Sequence, residues 1–444
     1  MIKAESYYSI WGRLALLALP IMIVIGTLLL ALPIARTGPI DLIDLFFTAT
    51  SASCVCGLLT IDLHQFTLFG QQVIFWLMQL GGLGIITLSL MFIFIMAEVK
   101  MSTQSIAEDI LEIHRIKDIK KILLFILGLT VATECFGALI TFINIYQYYP
   151  VHKAIFYAFF HAAASFCNAG ISIFPDGDAS FNQNLTMLSV TGFLIFVGGL
   201  GFITWHEKFN ALRGYFTGQK IRISLNSRIA LSASICLILG GALLFWCLEH
   251  NNTLKHDDFL TSLTNSLFNA ISVRSAGFLT VNIHALRLST ILLILILCFI
   301  GSAPGSTGSG IKTSTLVIFL ATTRAVISGR NSIEIGGRTI PQSQVYKAMT
   351  IIVLSLSWIA FTAFCLLITE VNADFLSVIF EATSAFAVLG LSLGLTAKLS
   401  LIGKIFILLS MLFGRIGSLT LILVLLKKRE TKDFSLPEER VMLS

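Results

Sequence analysis

Phe47-Thr48-Ala49-Thr50-Ser51-Ala52-Ser53-Cys54-Val55-Cys56-Gly57-Leu58 lies between two long apolar runs, yet it is too polar and too abruptly ended by glycine to be an ordinary membrane span. Three altered copies follow. Residues 160–171 read FHAAASFCNAGI, residues 268–278 read FNAISVRSAGF, and residues 380–391 read FEATSAFAVLGL. Each is a short apolar-and-hydroxyl stretch closed by glycine and then Leu, Ile or Phe. The four glycines, Gly57, Gly170, Gly277 and Gly390, are spaced by 113, 107 and 113 residues. A second landmark keeps phase: Gly81-Gly82, Gly301 and Gly414 begin 24 residues after their glycines, and Gly198-Gly199 begins 28 after Gly170. Self-similarity held in register over about 110 residues marks internal repetition.

Composition places these repeats in a membrane. The chain has 444 residues, 56% hydrophobic and 12% charged, where a soluble protein carries about 25% charged residues. Eight long apolar segments are expected, near 11–35, 70–97, 121–148, 185–209, 228–248, 287–325, 347–370 and 400–427, several of them longer than the ~20 residues that cross a bilayer. The first is too long for a signal-peptide core and reads as a retained span. The eight cysteines show no zinc spacing and no secreted disulfide framework. The net charge of +6 is scattered between spans, so nucleic acid is not expected as a partner.

The basic residues also set the orientation. The connections 100–121, 208–228 and 324–347, both terminal stretches and the C-terminal tail put 21 of 30 Lys and Arg on one side. The other side holds six, against ten acids that include Asp41, Asp44, Asp62, Asp176 and Asp178. The positive-inside rule then places both termini in the cytoplasm, in the inner membrane. Every repeat starts and ends inside, so the four run in parallel. The expected fold is an all-α polytopic membrane protein of four span–pore-loop–span repeats around a central pore. Its expected divisions are 1–100, 101–212, 213–340, 341–428 and a tail, 429–444.

A stretch that enters from outside and returns must be buried in protein or line a water-filled cavity. A cation leaving water needs replacement oxygens, which backbone carbonyls supply without fixed charge, and glycine lets successive carbonyls aim at one axis. The expected filter segments are Cys54-Val55-Cys56-Gly57, Cys167-Asn168-Ala169-Gly170, Arg274-Ser275-Ala276-Gly277 and Ala387-Val388-Leu389-Gly390. The preceding stretches, 41–52, 153–165, 258–272 and 374–385, are long enough for two or three helical turns. As helices they point partial negative charge at the cation.

With these motifs, the chain resembles the Trk/Ktr/HKT superfamily of potassium transporters along essentially its whole length, and most of all the membrane subunit of the Ktr systems. SVRSAGF, FCNAGI and the FEATSAF…LGLSLG run carry the likeness. The resemblance implies a potassium-conducting subunit, K+ as the transported ion with Na+ as the second candidate, no organic cofactor, a homodimer, and control by a cytosolic nucleotide-binding partner. One departure concerns the first filter segment, where relatives usually carry hydroxyl residues and this chain has Cys54 and Cys56.

The third repeat interrupts its own second span. Residues 301–310, GSAPGSTGSG, hold four glycines and a proline, which cannot continue a regular helix. Gly301, Pro304, Gly305, Gly308 and Gly310 therefore mark a loop in the cytoplasmic half of the expected pore. The resemblance makes it a gate, with Lys312 beside it and Arg415 as a barrier residue. Arg415 lies in an apolar span, where an arginine costs at least ~2.5 kcal/mol and needs acceptors; the loop carbonyls are the expected ones. Arg274 and Glu381, charges beside adjacent filter segments, are expected to pair. Asp62 and Asp176 are candidates for the outer mouth. A polytopic enzyme using Cys54, Cys56, His161 or Glu381 is the competing reading, but it predicts one distinct constellation and the sequence offers four similar ones. Glu134, an acid inside a span, has no assigned role.

Overall fold

The structure, a computed structural model, describes residues 18–99, 116–174, 181–219, 221–330 and 332–417, with side chains outside 84–99 and 116–120. Asp176 and Asp178, the linker before residue 116 and the C-terminal tail lie outside the described residues.

Four short helices form the centre: α2 (Leu42–Cys54), α5 (Val151–Phe166), α9 (Phe259–Ser272) and α13 (Phe375–Ala387). Their C-terminal halves are buried almost completely, including the hydroxyls of Thr48, Ser51, Ser165, Ser272 and Ser384. Each is preceded by one outer helix and followed by another. The preceding helices are α1 (Ala18–Ala31), α4 (Ile116–Ile145), α8 (Leu225–Glu249) and α12 (Gln342–Thr369). The following ones are α3 (Leu68–Val99), α6 (Leu185–Gly199), α10 (Leu288–Phe299) and α14 (Leu401–Ile416). Side-chain caps fix several starts: Asn184 accepts from the Met187 N–H at 3.1 Å, and Ser400 from the Gly403 N–H at 3.1 Å.

Packing between these groups is cyclic. Among the helix pairs in contact are α3 with α5, α6 with α9, α10 with α13, and α14 with α2. Each following helix thus covers the next short helix, and the last one closes on the first. Lys404 of α14 reaches Asp44 of α2 at 2.5 Å across this closing contact.

Three described helices are long and apolar enough to cross a membrane, Lys121–Ile145, Leu225–Glu249 and Gln342–Thr369. They expose large apolar side chains, among them Leu124, Val131 and Leu139 on α4 and Val353, Leu356 and Phe364 on α12. An apolar surface of this extent suits lipid rather than water. Their backbone groups are bonded within the helix, as a spanning segment requires.

Two features depart from the sequence expectation. The segment 185–209 is not one span: α6 meets α7 (Phe202–Phe216) at 98°. The corner is Gly201, at φ 94°, where an added Cβ would strike the Pro304 carbonyl. The chain is also not wholly α-helical. Between α11 (Thr313–Ile327) and α12, strands β1 (Glu334–Ile335) and β2 (Arg338–Thr339) pair antiparallel. Their two-residue turn, Gly336-Gly337, has both φ angles positive, the geometry glycine supplies for a tight hairpin.

Candidate functional site

The four short helices end the same way in three cases. Val55, Asn168 and Val388 adopt left-handed conformations, with φ of 60°, 59° and 57°. The next N–H turns back to the carbonyl five residues earlier: Cys56 to Ser51, Ala169 to Ala164 and Leu389 to Ser384, at 2.8–2.9 Å. This is the Schellman closure, usually built on glycine. Valine there is sterically costly, so two of the four segments hold backbone strain beside the glycines. The third helix ends differently. Its Ser272 carbonyl accepts from the N–H groups of Ser275, Ala276 and Gly277 at 3.2, 2.8 and 3.1 Å.

Hydroxyls brace the turns. Gly57 N–H donates to Ser51 Oγ at 3.1 Å, Phe278 N–H to Ser272 Oγ at 2.7 Å, and Ser384 Oγ to the Leu391 carbonyl at 2.7 Å. Ser51 and Ser384 stand six before their glycines and Ser272 five before Gly277; in the second segment these two positions are Ala164 and Ser165, and Ser165 Oγ donates instead to the His161 carbonyl at 2.7 Å.

The glycines themselves meet in a closed cycle. A Cβ on Gly57 (φ 96°) would strike the Ala169 carbonyl at 2.6 Å; on Gly170 (φ 63°), the Ala276 carbonyl at 2.5 Å. On Gly277 (φ 73°) it would collide with the Leu389 carbonyl, and on Gly390 (φ 93°) with the Cys56 carbonyl. Each glycine therefore abuts the residue before the next glycine, and the fourth returns to the first. Both the positive φ and the close approach demand glycine at all four positions.

The in-phase second glycines also acquire a reason. A Cβ on Gly81 would collide with the Ser53 carbonyl, on Gly198 with that of Phe166, and on Gly414 with that of Phe386. Each lets a following helix press on the last turn of its own short helix. The third group differs here too. Where the others carry Cys54, Cys167 and Ala387, it carries Arg274, whose Nη2 donates to the Gly301 carbonyl at 3.0 Å and lies 3.4 Å from Ser234 Oγ.

Arg274 and Glu381 do not pair, contrary to the sequence expectation. Glu381 is fully buried and accepts from Ser392 Oγ at 2.8 Å and from Thr396 Oγ1. Each charge is solvated by dipoles of its own segment: the broken helix frees the Gly301 carbonyl for one, and two hydroxyls after Gly390 serve the other. Neither set of partners is visible from spacing.

Between α10 and α11 the chain is non-helical, with Gly305 and Gly310 at φ 70° and 77°. This loop docks on the α6–α7 corner. Ala303 N–H donates to Gly199 at 3.0 Å, Thr307 N–H to Gly198 at 3.1 Å, and Phe202 N–H to Gly305 at 2.9 Å. Lys312 Nζ donates to the Gly308 carbonyl at 2.7 Å. Arg415 ties the loop to α3. Its Nη1 donates to the Thr307 carbonyl and lies 3.2 Å from Ser309 Oγ, while Nη2 donates to the Gly81 carbonyl at 2.5 Å. The loop acceptors follow from the sequence argument. The Gly81 carbonyl does not, although the paired glycines were its signal.

The remaining candidates take structural places. His161 Nε2 lies 2.9 Å from Thr191 Oγ1 among the rings of Phe174 and Phe278. Cys54 and Cys56 are buried free thiols, and no cluster among the described residues could hold a metal through His, Cys, Asp or Glu. Asp62 caps a short turn by accepting from the His64 N–H at 2.9 Å. Sequence reasoning missed Gln79 entirely. Its Nε2 donates to both oxygens of Glu134, at 2.8 and 2.7 Å, and its Oε1 lies 3.3 Å from Cys167 Sγ.

The model of the TrkH cation transport protein family matches residues 20–436. The chain is 34% identical to the potassium/sodium uptake protein NtpJ of Enterococcus hirae, over 95% of each chain. It is 34% identical to the Ktr system potassium uptake protein B of Bacillus subtilis, covering 92% of this chain and 91% of that one. The corresponding protein of Vibrio alginolyticus is 33% identical, with 97% and 94% covered. The crystal structure of the potassium transporter TrkH from Vibrio parahaemolyticus superposes with a TM-score of 0.75 at 19% identity, over 94% of this chain and 84% of that one, and so shares the fold. These relatives are cation transporters rather than enzymes, and the chain belongs to the TrkH cation transport protein family.

Proposed function

We propose that this protein takes up potassium across the cytoplasmic membrane as the ion-conducting subunit of a Ktr-type system. The segments ending in Gly57, Gly170, Gly277 and Gly390 form the selectivity filter, and the carbonyls of Cys56, Ala169, Ala276 and Leu389 replace water around the ion. Loop 301–310, with Lys312 and Arg415, is the gate below them. The carrying observation is the closed cycle in which each glycine lies against the next carbonyl. Four segments arranged so share one axis, and the buried C-termini of α2, α5, α9 and α13 add partial negative charge around it. In this reading the four groups are parallel span–pore-loop–span repeats, both termini are cytoplasmic, and the protein works as a homodimer with a cytosolic nucleotide-binding regulator. The names of the Ktr relatives support potassium and a multi-component system; the name of the Enterococcus relative makes sodium a second candidate ion.

Tracer flux into proteoliposomes tests the reading, with potassium, rubidium and sodium in competition. Saturable potassium-tracer entry that is lost in Gly57→Ser is the expected result. No entry above empty liposomes, with the protein confirmed in the bilayer, overturns it.

A further inference from the structure

Glu134 is a carboxylate in the middle of an apolar helix, 8% exposed, and nothing in the ion pathway described above uses it. An acid there is costly unless it is satisfied. Its partner among the described residues is Gln79 of α3, whose amide nitrogen approaches both carboxylate oxygens at 2.8 and 2.7 Å. Glu134 accepts both of these bonds, so the Gln79 amide turns its nitrogen toward Glu134 and its oxygen away. The oxygen then faces Cys167, whose thiol donates to it at 3.3 Å.

Cys167 closes the second short helix. The next residue, Asn168, is left-handed, and the one after, Ala169, carries the carbonyl that abuts Gly57. The thiol has little freedom on its other side, because a Cβ on Gly82 would lie 2.6 Å from Cys167 Sγ. One turn of α3 thus grips Cys167 between Gln79 and Gly82. That same turn offers its Gly81 carbonyl to Arg415. The second segment is also the one whose turn has no serine brace among the described residues, Ala164 standing where Ser51 and Ser384 do and Ser165 Oγ donating back to the His161 carbonyl at 2.7 Å.

We propose that Glu134, acting through Gln79 and the Cys167 thiol, is a positioning residue for the second filter segment and so a determinant of cation discrimination. The relay takes the place of the missing hydroxyl brace, holding the segment from behind through its side chain. The inference rests on reading the glycine cycle as the filter.

The test is the potassium-over-sodium ratio of tracer flux in proteoliposomes, with Gln79→Met as the principal variant. Methionine keeps the volume and removes all three hydrogen bonds. The expected loss in the ratio is about three- to tenfold, with total flux retained. Glu134→Leu is expected to match it, and the double variant to be no worse than either single one, as two parts of one relay require. Glu134→Gln keeps an acceptor for the Gln79 nitrogen and is expected to restore most of the ratio; Cys167→Ala is expected to lose it. A wild-type ratio in Gln79→Met, or losses that add in the double variant, overturns the inference. If Glu134→Leu does not fold, Gln79→Met and Glu134→Gln decide alone. A wild-type protein that passes no potassium sinks the filter reading instead, so the two failures are distinct.

Discussion

Lys404 Nζ and Asp44 Oδ1 stand 2.5 Å apart although 360 residues separate them in sequence. The pair joins the last described helix to the first short one, at the seam where the cycle of helices closes. Both side chains are about seven-eighths buried, with relative exposures of 14% and 13%. Losing one partner of a buried pair costs on the order of 3 kcal/mol. Lys404→Met is expected to lower the melting temperature in detergent, and the charge-exchanged pair Asp44→Lys with Lys404→Asp to recover part of the loss. Unchanged melting in the single variant rules out a clasp at this seam.

Two glycine-to-alanine changes separate geometry from composition. Gly57→Ala places a Cβ against the Ala169 carbonyl at φ 96°, and it is expected to abolish potassium flux while leaving protein in the membrane. Gly240→Ala, inside α8 with nothing within 4 Å of the new Cβ, is expected to leave flux intact and to raise stability by about 0.5–1 kcal/mol. Tracer flux and thermal melting on the same preparations check both.

Arg415 bridges loop 301–310 and α3 through several donated hydrogen bonds. Arg415→Ala removes the bridge, and basal leak in the absence of regulator is expected to rise severalfold. Arg415→Lys is expected to leak as well, since one ammonium cannot span both sides as a planar guanidinium does. Equal basal flux in wild type and both variants contradicts the barrier role.

Ser51 accepts from the Gly57 N–H at 3.1 Å in a buried setting. Ser51→Ala leaves that N–H unpaired, at about 1–3 kcal/mol, and is expected to reduce potassium-over-sodium discrimination more than total flux. Ala164→Ser at the corresponding place is the control and is expected to change the ratio little. Competition flux with the two cations measures both.

How much of this was legible in the sequence differs from residue to residue. Gly57, Gly170, Gly277 and Gly390 were readable because a steric demand for glycine recurs in register and leaves a mark in the chain. The broken helix at 301–310 was readable for the same reason, from residue types that cannot propagate a helix. The strained conformations at Val55 and Val388 were not, since valine gives no local hint of a left-handed turn and only surrounding packing imposes it. The 98° corner at Gly201 escaped because hydropathy runs straight through it. The partners of Arg274 and Glu381 escaped because two charges near one another in a repeat diagram look complementary. In three dimensions each is met first by nearer carbonyls and hydroxyls.

The glycine cycle is written four times in one polypeptide rather than once in a chain that assembles with three copies of itself. A substitution in a fourfold assembly strikes every quarter of the ring together; here it strikes one. The quarters have accordingly diverged. Two are strained on valine, one relaxes onto asparagine and lacks the hydroxyl brace, and one abandons the left-handed turn and brings in an arginine. In the proposed filter, a ring whose sides can drift separately can be retuned for a new ion by small, local edits, without ever passing through an all-or-none change of its whole circumference.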